Sequence, residues 1–170
     1  MEYWIVFDPV SGLELWRGGG SAGSAAQQDM PEGAALVVVP QAVIAKSEID
    51  LDRLRACLAL RVDAEAEAIR QRFLTPGAGQ AMTYQAKQAE ARAWVSDNSL
   101  PTPFLTAEAP ARGMTVADLA DEVIRLSDAW TMIGAAIEGM RMGAKSAIAE
   151  AGTLGAIVAA SRVDWTTLNA

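Results

Sequence analysis

The stretch 115-TVADLADEVIRLSDAWTMIGAAIEGMRMGAKSAIAEA-151 contains no proline. Leu119, Val123, Leu126, Trp130, Ile133, Ile137, Met140, Ala144 and Ala147 recur in it at alternating steps of four and three. That period is the seam of one long helix. Thr115 is placed to cap it, with Asp118 three residues on, and Asp121 and Glu122 follow near the positive end of the helix dipole. Arg141 and Lys145 balance the other end. A second ridge, Ala135, Gly139, Gly143, Ala147 and Ala151, steps by four and leaves room for another backbone to approach closely. Each glycine there costs about 1 kcal/mol of helix stability relative to alanine, so close packing is the expected compensation.

The rest of the chain has to cover this helix. Of the 170 residues, 51% are hydrophobic and 21% charged, and about one in five is alanine; this favours a helical protein with thin, closely packed helices. The net charge of -7 argues against a nucleic-acid partner, whose phosphates demand clustered Lys and Arg. With no histidine and one cysteine, neither a zinc site nor a disulfide is expected, and no cofactor or metal is assigned. Cys57, between Leu54 and Leu58 in a helical pattern, reads as a small buried hydrophobe. The apolar run Tyr3 to Phe7 is too short for a secretory signal and 151–161 too short for a membrane span, so a soluble chain with no membrane partner is expected.

Working outward, Tyr3 to Asp8 is rich in aromatic and β-branched residues, and Asp8-Pro9-Val10-Ser11-Gly12 supplies a turn before Leu13 to Arg17 resumes alternation. A hairpin follows, with Tyr3, Ile5 and Phe7 on one face and Trp4 and Val6 on the other. Bulky residues on both faces predict that both are covered, by helices of this chain or by a partner. Residues 18–33 read as a loop, and Ala35 to Val39 as a third strand ended by Pro40, completing a β-meander. Gly18-Gly19-Gly20-Ser21-Ala22-Gly23 matches a dinucleotide fingerprint in form only, because no helix follows its last glycine.

A second helical stripe, Leu51, Leu54, Leu58, Val62, Ala66, Ile69 and Phe73, lies within 47–73. The segment 75–79 breaks it. Thr83 is read as the cap of a shorter helix to Ser96, 104–112 as a helical turn interrupted by Pro110, and 154–161 as a terminal helix that docks Trp165 on the bundle. The fold class is therefore α+β, mostly α: an antiparallel β-meander at 1–42 acting as an attachment module, and an α-helical body of long helices at 43–170. Glu65 and Glu67 point apart on their helix, and Asp118, Asp121 and Glu122 sit where carboxylates serve capping. Neither set forms an acid–base pair, so no catalytic residue is assigned.

Three pieces, Tyr3-Trp-Ile-Val-Phe7-Asp8-Pro-Val-Ser11-Gly12, Tyr84-Gln-Ala-Lys87-Gln-Ala-Glu90-Ala91, and Ile148-Ala-Glu-Ala151-Gly-Thr153 with Trp165, together resemble small bacteriophage tail proteins of the tail-fibre-assembly or tail-associated type. The resemblance implies a non-enzymatic virion structural protein of the tail, made in the host bacterial cytoplasm, whose partner is a tail or tail-fibre protein. An assembly chaperone absent from the mature particle is the alternative, and a cell-wall hydrolase a more remote one. The seam and the small-residue ridge adjoin and cannot both be covered by one neighbour. A helix from 83 to 96 spans only about 20 Å at 1.5 Å per residue, against roughly 55 Å for the long helix. Self-association or tail-protein binding is thus expected through Trp130, Ile133, Ile137 and Met140, with Gly139 and Gly143 permitting close approach, and Trp4 and Val6 as a further contact on the sheet.

Overall fold

The computed structural model describes residues 1–75 and 77–168. Residue 76, inside the expected break at 75–79, and residues 169 and 170, at the end of the expected helical body, lie outside them. The class is α+β and mostly α, with 60% helix and one small antiparallel sheet at the N-terminus. Two compact units share the chain: Met1–Ala68 with Glu138–Ala170, and Ile69–Ile137.

In the first unit, strands β1 (Glu2–Phe7), β2 (Glu14–Gly20) and β3 (Ala35–Val39) form the sheet. The Asp8 carboxylate builds the hairpin turn, accepting from the backbone N–H groups of Val10 at 2.7 Å and Ser11 at 3.1 Å. Strand order is β2-β1-β3, with both neighbours antiparallel to β1. A meander would place β2 in the centre. Instead the connection from Gly20 runs back the length of the sheet, so that β3 pairs with the free edge of β1. Leu15 bulges out of the β1–β2 ladder, where the register shifts between Val6 and Phe7.

The glycine triplet is strand and not loop. Trp4 lies opposite Gly18 and Tyr3 opposite Gly19, and a Cβ on Gly19 would come within 2.6 Å of the Tyr3 ring. Aromatic rings lying across bare backbone replace the packing that glycine lacks. This accounts for a pattern that only mimics a nucleotide loop.

Both faces of the sheet are covered, as its bulky residues require. Ile5, Phe7, Val37 and Val39 share a core with Leu54, Leu58 and Val62 of helix α2 (Leu51–Arg70), Ile148 of α5 (Val116–Glu150), and Leu154, Ile157 and Val158 of α6 (Leu154–Ala160). The opposite face, Trp4 and Val6, is closed by Ala25 in a 3-10 turn at Ala25–Gln27. The sheet thus shares one core with α2, the last part of α5 and α6, which differs from a division at residue 42. A short helix, α1 (Gln41–Ile44), follows β3 and buries Val43. Asp50 caps α2 by accepting from the Arg53 N–H, so α2 starts after 47 and ends before 73. Thr153 caps α6, and Trp165 docks back, donating its indole N–H to Glu65 at 3.1 Å.

In the second unit α3 (Ala78–Ser96) and α4 (Pro103–Ala111) pack with the first part of α5 around Ala91, Leu105, Ala109, Leu119 and Ala120. α3 begins five residues before Thr83, whose hydroxyl bonds back to the Gly79 carbonyl as an internal residue does. Pro103 opens α4, and Glu90 of α3 accepts from the N–H groups of Phe104 and Leu105, satisfying its first turn. Pro110 sits in the last turn of α4. α5 opens with the expected reciprocal cap: the Thr115 hydroxyl accepts from Asp118 N–H at 3.1 Å and donates to the Asp118 carboxylate at 2.6 Å.

Candidate interaction surfaces

Along the α5 seam the expected contact residues separate. Leu126 is 51% exposed, Trp130, Ile133 and Met140 are half-buried, and Ile137 is fully buried. Ile137 is therefore core and cannot be a contact. Gly139 and Gly143 are exposed, and a Cβ on either would meet nothing within 4 Å. Close packing inside the chain is not what compensates for these glycines. Trp4 and Val6 are buried, at 5% and 0% exposure, beneath the chain's own β2–β3 connection. The face that sequence reading offers to a partner is closed by residues 21–34, whose composition gave no hint of an apolar lid beyond Ala25.

In the first unit Asp63 of α2 accepts from Lys145 Nζ at 2.7 Å and from Arg141 Nη1 at 2.5 Å, and Arg141 also engages Glu138. Hydrogen bonds from Lys145 and then Arg141 hold the Asp63 carboxyl below the usual aspartate range. Arg55 reaches the end of α5, donating from Nε and Nη2 to the Ala151 carbonyl. A cleft of about 410 Å³ lies between these helices, with Ile148, Ala56, Ala59 and Ala149 among its walls and Arg55 and Lys145 at its margins. A second cleft of about 400 Å³ runs from Ser11–Glu14 past Ser47–Ile49 to Thr153 and Leu154. Its one arginine, Arg17, is engaged by Glu14 and by the Lys46 and Ser47 carbonyls.

The second unit holds a matching set. Lys87, only 8% exposed, pairs with Glu108 at 2.6 Å, and Arg112 joins Glu108 to Glu122. The Lys87 bond is the main reason that Glu108 lies below the usual glutamate range. Arg92 pairs with Asp128 across α3 and α5. Cys57 is half-buried on the first core, and burial pushes its thiol up, keeping it protonated.

The carboxylates with displaced values, Asp8, Asp63, Asp97, Glu108 and Asp164, are all displaced downward. A general acid needs the opposite displacement. Asp63 and Glu108 pair with cations of other helices, and Asp8, Asp97 and Asp164 accept hydrogen bonds within their own turns. Among the described residues no group of His, Cys, Asp and Glu could hold a metal ion, and no helix is long and apolar enough to cross a membrane. Sequence reading missed the ion pairs, whose partners lie 78 and 82 residues apart for Asp63. It also missed Leu60, 68% exposed on the back of α2; its one signal was an apolar residue outside the buried stripe. No protein-family model, no curated protein and no solved structure matches this chain.

Proposed function

We propose that this chain is a non-enzymatic structural component of a bacteriophage tail, retained in the virion and bound to a tail or tail-fibre protein. The observation that carries the reading is the incomplete cover of the α5 seam: Leu126 is 51% exposed, with Trp130 and Ile133 half-buried on the same side of the helix. An apolar row with large side chains at its centre is the composition of an interface core. The resemblance of the β1 hairpin, the Tyr84–Ala91 segment and the Ile148–Thr153 segment to small tail proteins supplies the setting.

The test is quantitative mass spectrometry of gradient-purified particles from the phage that carries the gene. The reading expects peptides of this chain in a fixed ratio to a tail or fibre protein. Peptides present in infected cells and absent from particles would make the chain an assembly chaperone and overturn the structural reading.

A further inference from the structure

The back of α2 carries one exposed stripe. Arg53, Ala56, Leu60, Ala64 and Glu67 are all exposed, and their spacing of three, four, four and three residues sets them on one narrow stripe opposite the buried Leu54, Leu58 and Val62. The stripe is symmetric about Leu60. Ala56 and Ala64 stand four residues to either side of it, and Arg53 and Glu67 seven. Its composition is also complementary end to end, with a cation at one end, an anion at the other, small residues inside them and one large apolar side chain at the centre.

We propose that α2 is the contact of a two-fold dimer in which the occupant of this stripe is the α2 of a second copy, running antiparallel. Pairing about Leu60 sets Leu60 against its counterpart and Ala56 against Ala64, and it brings Arg53 of each copy to Glu67 of the other. A two-fold contact requires one patch to complement itself, and this register satisfies that for shape and charge together. The alanines let the backbones approach, so the exposed Leu60 side chains are covered by each other. Bordering carboxylates do not oppose the approach: Asp52 is held by Arg55 at 2.7 Å and Asp63 by Arg141 and Lys145. Arg53 contacts Asp50 through Nε, which leaves the outer fork of the guanidinium to reach across. This dimer does not depend on the tail assignment, and it uses no residue of the α5 seam.

Sedimentation velocity on the full chain over a concentration series tests it. The wild type should reach a dimer in the micromolar range, and Leu60→Asp should be monomeric with an unchanged melting temperature, since the side chain is already exposed. Arg53→Glu and Glu67→Arg should each weaken the dimer by about tenfold or more, because each turns two attractive contacts into repulsive ones. The double reversal should restore it. An equimolar mixture of the two single reversals should form a heterodimer, since each then supplies the charge that the other lacks. A wild type that stays monomeric at the highest concentration, a dimer that Leu60→Asp leaves intact, or reversals that neither recombine nor restore would overturn the proposal.

Discussion

The guanidinium of Arg55 closes the C-terminus of α5 by donating two hydrogen bonds to the Ala151 carbonyl, 3.2 Å from Nε and 2.8 Å from Nη2, across 96 residues of sequence. The last carbonyls of a helix have no partner within it, and a cation there also offsets the dipole. Arg55→Ala should lower stability by about 1.5–3 kcal/mol, the range for a hydrogen bond to a charged group. For a chain of this size each kcal/mol lowers the melting temperature by roughly 2–4 °C. Arg55→Lys should recover only part of the loss, because an ammonium cannot present the two-pronged fork. Thermal melts of the three proteins check this.

Asp63 makes stability depend on acid. Its folded value is depressed by Lys145 and Arg141, so its contribution is complete above the unfolded aspartate value of about 4 and is lost as pH falls through the lower folded value. Melting curves from neutral pH downward should show wild type and Asp63→Asn separated at neutrality and converging in strong acid. A separation that persists unchanged to the lowest pH would assign the loss to packing instead.

Two glycine substitutions should act with opposite sign. Gly19→Ala places a Cβ 2.6 Å from the Tyr3 ring and should cost about 1–3 kcal/mol through overpacking. Gly139→Ala meets nothing within 4 Å and should stabilise the chain by about 0.5–1 kcal/mol through helix propensity. Denaturant midpoints at equal slope give both signs directly.

Much of this architecture is legible from residue spacing alone. The α5 seam, its Thr115–Asp118 cap and the Tyr3–Phe7 alternation each follow from short-range pattern, and the structure realises them at nearly the expected bounds. What failed was long-range. Trp4 and Val6 read as a face for a partner to cover because a Gly, Ser and Ala-rich connection does not resemble a cover. Ile137 and Leu126 both lie on the seam, yet one is at 0% and the other at 51% exposure, a difference set by which neighbours reach each turn. The triplet Gly18 to Gly20 reads as loop by propensity and becomes strand because two rings across the ladder supply its packing.

The shared core makes the sheet indispensable to the first unit. Removing residues 1–42 takes Ile5, Phe7, Val37 and Val39 from the cluster that buries Leu54, Leu58 and Ile157, exposing large apolar side chains worth about 1.5–3 kcal/mol each. A fragment from 47 to 170 should therefore lack a cooperative transition around α2, read by hydrogen exchange at residues 54–62. Protection there equal to that of the intact chain would restore the two-part division at residue 42.

The central claim is that the exposed part of the α5 seam meets a tail protein. A photo-cross-linking amino acid placed at position 126, where Leu126 is 51% exposed, can be compared with one at position 95, where Val95 is 58% exposed on α3. Illumination of purified particles should join position 126 to a tail or tail-fibre protein in high yield and position 95 weakly or not at all. Incorporation into particles with no cross-link from position 126, or equal yields from the two positions, would contradict the account.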